Sequence, residues 1–148
     1  MAHILVIGHG FITKEFSNAV SMILGAEYSP DWCCLDFSDG IENFKLDINQ
    51  KICALAEAQE KIIIVSDLFF GSPFISTLEC LKSFFTPDRF RVVTGANLPM
   101  LLELCLANHD NPDDLDGLVN IAISKGKEGI QEYVIKLEED TQEKDQPL

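Results

Sequence analysis

The sequence has few basic residues: 11 lysines and arginines stand against 24 aspartates and glutamates, which gives a formal net charge of −13. Without a basic stripe to displace phosphate counterions, the chain is not expected to bind nucleic acid. It also lacks any apolar run near the ~18 residues that a membrane-spanning helix requires. Its first residues show neither the basic region nor the cleavage site of a signal peptide, so we expect none.

No Cys-x-x-Cys pair occurs, and the number of cysteines is odd. An odd set without ligand spacing is typical of reduced cysteines that serve as small core residues, and it does not predict a metal site. We therefore expect a cytoplasmic protein with no metal and no cofactor. The cysteines are Cys33, Cys34, Cys53, Cys80 and Cys105.

The chain of 148 residues fits one domain, in which short apolar runs alternate with helical periodicity. Repeated β-α units with short connections predict an α/β fold with a doubly wound, mainly parallel sheet and helices on both faces. A strand order of 2-1-3-4 is expected, with the switch point between the first and third strands. Strands are predicted at 3–7, 32–37, 61–66 and 89–94, and helices at 11–24, 42–59, 72–85, from 99 onward, and at 115–125. Gly25 and Gly126 are expected to stop the first and the last of these helices.

The C-terminal part divides at about residue 137. Residues 130–137 are apolar and predict a last strand, which completes a domain over residues 1–137. Residues 138–148 contain five acidic residues and one basic residue. Because this stretch has no apolar periodicity, we predict an acidic disordered tail.

Two short loops contain the residues that could do chemistry. His9 stands between Gly8 and Gly10, directly after the first predicted strand, and Asp67 follows the third. The carboxyl ends of parallel strands meet at one sheet edge, so we expect His9 and Asp67 to lie on either side of one crevice. Ser72 follows Gly71 as the predicted N-cap of a helix that has proline at its first position.

These residue types suit a histidine that is transiently phosphorylated. A carboxylate at Asp67 would accept a hydrogen bond from one ring nitrogen of His9 and aim the other outward as a nucleophile. The hydroxyl of Ser72 and the helix N-terminus would receive the phosphoryl group. We assign His9, Asp67 and Ser72 to catalysis, and Gly10, Gly71 and Ser72 to phosphate binding.

Simpler interpretations remain open for each residue. His9 could lie in a tight strand-to-helix turn, Asp67 could cap its own loop, and Ser72 could be an ordinary helix start. His3 is expected to be structural or exposed, and His109 to be a solvated residue in a polar turn. A hydrolase using the same trio is disfavoured because no Gly-x-Ser-x-Gly pattern occurs. A response-regulator receiver would need an acidic pair after the first strand.

Several separated motifs follow one another along the chain. They are Gly8-His9-Gly10, Met22-Ile23-Leu24-Gly25, Val65-Ser66-Asp67 with Gly71-Ser72-Pro73-Phe74, Gly95-Ala96-Asn97-Leu98-Pro99-Met100-Leu101, and Gly126-Lys127-Glu128-Gly129. With these motifs in this order the chain resembles the IIA component of the mannose/fructose/sorbose class of the bacterial sugar phosphotransferase system. The resemblance covers nearly the whole chain, to about Leu137, and several motifs in the same order are more specific than any one of them.

The resemblance implies a phosphotransferase with a phosphohistidine intermediate. His9 would accept a phosphoryl group from the phosphocarrier HPr on the ring nitrogen remote from the backbone. It would then pass the group to a IIB component that serves a membrane IIC/IID permease. Asp67 matches the carboxylate partner and Ser72 a residue that contacts the phosphoryl group.

The resemblance also implies a homodimer in which a C-terminal strand crosses to the partner's sheet, antiparallel to the rest. Residues 130–137 match that strand, and the helix from Leu98 to Leu106 is expected to add to the interface. A IIB domain would be a separate polypeptide.

The chain departs from the family pattern at two positions near the site. Phe70 stands where the family usually has a glycine, and Ile75 replaces a frequent asparagine. These departures bear on partner identity and activity more than on fold. They leave open an alternative function as a regulatory protein-interaction module with a reduced or absent transport role.

Overall fold

The computed structural model describes residues 1–137 as four strands and five α-helices, with one turn of 3-10 helix at Ala26–Tyr28. The predicted acidic tail lies outside the described residues. The elements are β1 His3–His9, α1 Ile12–Leu24, β2 Asp31–Leu35, α2 Gly40–Glu57, β3 Ile62–Ser66, α3 Ser72–Leu81, β4 Phe90–Thr94, α4 Leu98–Asp110 and α5 Leu115–Glu128.

The strands form one parallel sheet in the order β2-β1-β3-β4. The predicted α/β class, strand order and parallel direction are therefore confirmed. Alternate residues of the central strands point to opposite faces, as the pleat requires. On β1, Ile4 and Val6 pack under α1, α4 and α5, whereas Leu5 and Ile7 pack under α2 and α3.

β3 is buried at every position, which explains its uninterrupted run of β-branched residues. Each fully buried isoleucine contributes roughly 1.5–3 kcal/mol relative to an exposed one. With helices on both faces, this central strand gives the carboxyl edge of the sheet a rigid support.

Several predicted element ends are displaced. β2 ends at Leu35 rather than at 37, since Phe37 is fully exposed and has no core to enter. α3 ends at Leu81, ahead of the predicted 85. Gly25 follows the end of α1 as predicted, with φ +114°.

Gly126 was predicted to stop a helix, and this is wrong: it lies inside α5 and is buried. A Cβ at Gly126 would lie 2.9 Å from Cε and 3.2 Å from Cβ of Met100 in α4. The glycine therefore serves the close approach of two helices. A lone glycine in a helical pattern does not distinguish these two uses.

Residues 130–137, predicted as an antiparallel strand, have no regular secondary structure in the single chain. A strand needs a hydrogen-bonded neighbour, and within residues 1–137 this segment pairs with none of the four strands. Its exchange with a second subunit stays a prediction. The apolar side chains it exposes are Ile130, Tyr133, Val134, Ile135 and Leu137.

None of the helices within residues 1–137 is both long and apolar enough to cross a membrane.

Candidate functional site

His9 is the last residue of β1, and Asp67 directly follows β3. The parallel register sets Ile7 opposite Ser66, and the N–H of Asp67 donates to the carbonyl of Ile7 at 3.1 Å. Adjacent strand ends thus bring His9 and Asp67 together across 58 residues of sequence. The predicted proximity of these two residues is what the structure shows.

The carboxylate of Asp67 holds His9 at two points. Its Oδ2 accepts a hydrogen bond from the backbone N–H of His9 and another from Nδ1 of the ring, each at 2.9 Å. Its Oδ1 accepts a bond from the N–H of Leu68 at 2.8 Å. Asp67 therefore caps its own loop and orients the histidine at once, so the two alternatives do not exclude each other.

This contact decides which ring nitrogen is available. Because a carboxylate only accepts hydrogen bonds, in the neutral ring Nδ1 of His9 carries the proton and Nε2 keeps its lone pair. No residue among 1–137 forms a hydrogen bond with Nε2. The His9 side chain is 43% exposed and that of Asp67 only 13%, so the carboxylate that orients the ring is sheltered while the ring itself is accessible.

Two glycines make room for this pair. A Cβ at Gly8 would lie 2.6 Å from Cγ of Asp67, and one at Gly71 would lie 2.8 Å from Cε1 of His9. At either position a Cβ would force the facing side chain to move. Sequence reasoning missed Gly8 as a positioning residue. The Gly-His-Gly motif signals a special turn but not which glycine faces the carboxylate.

Gly10 has a different role from the one assigned to it. Its φ is +61°, and a Cβ there would meet no atom within 4 Å. Its N–H donates to the carbonyl of Leu35 at 2.8 Å, so that group is engaged within the fold. Gly10 therefore turns the chain from β1 into α1. Because its N–H is already bonded, it has no free N–H to offer to a phosphoryl group in this structure.

α3 begins beside the histidine. Gly71, not Ser72, is its N-cap, and Ser72 and Pro73 are its first two residues. The prediction that Ser72 caps the helix is therefore wrong. Ser72 is exposed, and its hydroxyl has no hydrogen-bond partner among the bonds of residues 1–137. Since a Cβ built on Gly71 would lie 2.8 Å from Cε1 of His9, the first turn of α3 and its N–H groups begin next to the ring.

Two exposed phenylalanines, Phe69 and Phe70, lie next to the site and pack on Phe74, which is buried. The Phe69 and Phe70 rings lie 4.3 Å apart, and both lie within 5.6 Å of the Phe74 ring. Phe70 has φ +62°, a left-handed conformation that costs a residue with a side chain about 1–2 kcal/mol. The backbone at this position thus favours glycine, which gives the departure noted in the sequence a structural meaning.

The site is an open surface beside a groove. A groove of about 650 Å³ runs along β2 and α2, and its lining includes Phe11 and Asp36 but not His9, Asp67 or Ser72. No group of side chains within residues 1–137 could hold a metal ion. The arrangement suits a reactant delivered on the surface of another macromolecule.

The other two histidines lie elsewhere. His3, at the opposite end of β1, contacts Asp31 at 3.1 Å, and Lys51 also donates to Asp31. Burial would raise the pKa of Asp31, but these hydrogen bonds lower it to about 2. His109 lies in the last turn of α4 with its ring centroid 4.2 Å from that of Tyr28, so its predicted loop placement is wrong.

Known proteins are similar to this chain in sequence and in fold. The chain is 30% identical over 130 residues to the PTS system mannose-specific EIIAB component of Escherichia coli K12, which covers 86% of this chain and 38% of that protein. It therefore spans well under half of that relative. It is 32% identical over 107 residues to the PTS system sorbose-specific EIIA component of Lacticaseibacillus casei, covering 70% and 71% of the two chains.

The fold matches a solved structure of the same description. The crystal structure of phosphotransferase system component EIIA from Streptococcus agalactiae superposes with a TM-score of 0.75 at 22% identity, covering 89% of this chain and 97% of that one. The family described as PTS system fructose IIA component matches residues 3–122. The chain belongs to this family of sugar phosphotransferase system components, as its motifs predicted.

Proposed function

We propose that the protein is a phosphoryl carrier that accepts a phosphoryl group on Nε2 of His9 from HPr and passes it to a IIB component. The observation that supports this most directly is the bond from Nδ1 of His9 to Asp67, which in the neutral ring leaves the lone pair of Nε2 free, on a side chain that is 43% exposed. The family membership of the chain supports the same role. Sugar uptake would follow through a IIC/IID permease that this chain does not touch.

In this reaction the lone pair of Nε2 attacks phosphorus while the bond from phosphorus to the donor's leaving atom breaks. The ring keeps its proton on Nδ1 and gains positive charge, which the Asp67 carboxylate stabilises. The hydroxyl of Ser72 and the first-turn N–H groups of α3 would bind the phosphoryl oxygens. Transfer to IIB reverses these steps.

The test is phosphorylation of the purified chain with HPr, phosphoenolpyruvate and the enzyme that transfers the phosphoryl group from phosphoenolpyruvate to HPr. The parent chain should acquire acid-labile, base-stable phosphate, and His9→Ala should acquire none. His109→Ala is the matched control, because that exposed histidine lies in α4 and should label like the parent. Equal labelling of His9→Ala would end the proposal.

A second measurement separates the transport role from the regulatory alternative. The labelled chain is mixed with a mannose-type IIB component, and the loss of label from His9 is followed with time. Rapid transfer supports a transport role in the cytoplasm. Stable label on His9 in the presence of IIB would instead favour a regulatory interaction module.

We further propose that residues 130–137 pair with a second copy of the chain. They expose apolar side chains in the single chain, and each edge strand of the described sheet, β2 and β4, has one unpaired side. α4, which contains Leu98 to Leu106, would contribute to the interface. Light scattering should give a dimer for the full chain and a monomer for a chain that stops at Gly129. A dimer of unchanged stability after truncation would refute the exchange.

A further inference from the structure

Two cysteines on neighbouring helices converge on one oxygen atom, on the face of the sheet that α2 and α3 share. The Sγ atoms of Cys53 in α2 and Cys80 in α3 lie 3.7 and 3.2 Å from Oδ1 of Asn49. The two sulfurs are therefore no farther apart than the sum of these distances. Both thiols are free, and neither residue is fully buried.

We propose that Cys53 and Cys80 form an oxidative modification site, at which a low-molecular-weight disulfide such as oxidised glutathione generates an intramolecular disulfide between α2 and α3. The site is independent of His9 and of the phosphoryl-carrier role. Closing the bond requires new side-chain rotamers and a closer approach of the two sulfurs, on helices that already pack together.

The chemistry is two thiol–disulfide exchanges. The thiolate of Cys53 attacks one sulfur of the small disulfide, which forms a mixed disulfide and releases one small thiolate. The thiolate of Cys80 then attacks the Cys53 sulfur and releases the second small thiolate. Two protein thiols are oxidised, and one small disulfide is reduced to two thiols.

The environment of Cys80 sets this order. Burial raises the pKa of its thiol, and the nearby Cys53 raises it further. A raised pKa lowers the thiolate fraction of Cys80, which makes it a slow first nucleophile in the reduced protein. Once Cys53 is in a mixed disulfide it carries no charge, so it no longer raises the pKa of the Cys80 thiol.

The other cysteines do not offer a comparable pair. Burial raises the pKa of the Cys33 and Cys105 thiols to about 12, which makes them poor nucleophiles. Cys33 and Cys34 are successive residues of β2, so their side chains point to opposite faces of the sheet.

The test oxidises the full chain with glutathione disulfide at pH ~8, near the usual pKa of a thiol. Free thiols are then blocked with N-ethylmaleimide under denaturing conditions, and the protein is mapped by mass spectrometry. We expect a species lighter by two hydrogen atoms before alkylation, with the Cys53 and Cys80 peptides joined. Cys80→Ser should stop at a glutathione adduct on Cys53, and Cys34→Ser should oxidise like the parent.

Circular dichroism of each variant checks that it is folded. If the folded parent keeps every thiol open to N-ethylmaleimide, or if the disulfide maps to other cysteines or joins two chains, the proposal is wrong. Phosphorylation of His9 is not needed for any step. Failure of this experiment therefore leaves the phosphoryl-carrier proposal intact, and the reverse also holds.

Discussion

Oδ2 of Asp67 accepts hydrogen bonds from both the backbone N–H and Nδ1 of His9, each at 2.9 Å. One oxygen thus fixes the position of the residue and the orientation of its ring. The tautomer follows from the same contact, because a carboxylate cannot donate a proton to Nδ1 while ionised. The predictions for the site depend on this arrangement.

Asp67→Asn should slow phosphorylation of His9 by roughly 100-fold or more. The amide keeps the shape of the carboxylate but carries no charge to stabilise the imidazolium, and its NH2 group favours the wrong tautomer. Rapid-quench labelling by HPr measures the rate. Asp88→Asn removes one carboxylate from an exposed position and should label at the parent rate. An unaltered rate for Asp67→Asn would remove the carboxylate from the mechanism.

Gly8→Ala should impair the site more than Gly10→Ala. The added methyl group at position 8 would lie 2.6 Å from Cγ of Asp67, whereas at position 10 it would meet nothing. The first change therefore displaces Asp67 and should cost about 1–3 kcal/mol of stability. Gly10→Ala keeps the contact between Asp67 and His9, and it loses only about 1 kcal/mol of stability, the cost of a side chain at φ +61°.

Urea denaturation and the labelling rate of His9 together check this pair of glycine variants. Gly8→Ala should lose stability and most of its labelling rate, whereas Gly10→Ala should lose stability alone. Equal labelling rates in the two variants would show that the close approach of Gly8 to Asp67 is not needed for phosphotransfer.

The site could be predicted as far as it depends on strand order. Apolar runs and helical periodicity predicted alternating strands and helices, and in the expected order 2-1-3-4 the ends of β1 and β3 meet at one edge, so His9 and Asp67 were expected to be neighbours. Which glycine faces Asp67 depends on distances of a few ångströms within the loops. That information lies in the three-dimensional path of the chain, so Gly8 was missed.

The helix ends show the same limit. Gly25 and Gly126 look alike in the sequence, each closing a helical pattern. Gly25 takes a positive φ and follows the end of α1. Gly126 lies within α5, where the absence of a side chain leaves room for Met100 of α4. Whether a glycine stops a helix or receives a neighbour is decided by tertiary packing.

The group of His3, Asp31 and Lys51 should make the free energy of unfolding depend on pH in the acid range. The pKa of Asp31 is lowered from 3.8 to about 2 in the folded state, as hydrogen bonds from His3 and Lys51 outweigh the effect of burial. Folding therefore favours the carboxylate. This contribution is fully present above pH 3.8 and is lost as the pH falls through 2.

Asp31→Asn should therefore destabilise the protein by about 1 kcal/mol near neutral pH, with partial exposure of the pair taken into account. Urea denaturation at a series of pH values measures the difference from the parent, which should shrink as the pH falls below 3.8. Asp88→Asn should show no such trend. A difference for Asp31→Asn that stays constant with pH would contradict the assigned pairing.

Phe70 and Phe69 should respond in opposite ways to glycine and alanine. Phe70 has φ +62°, whereas the φ of Phe69 is not positive. Glycine adopts the left-handed region without the 1–2 kcal/mol cost that alanine has there, but it loses more entropy on folding. Both replacements remove the ring contacts with Phe74, so comparing the two variants at one position cancels that loss.

Phe70→Gly should thus be more stable than Phe70→Ala by up to about 1 kcal/mol, while Phe69→Gly should be less stable than Phe69→Ala by about 0.4–1 kcal/mol. Urea denaturation of the four variants gives both differences. If alanine is the better replacement at both positions, the left-handed turn before Gly71 is not a property of the protein. If glycine is the better replacement at position 70 alone, the backbone at that position disfavours the phenylalanine that the chain has there.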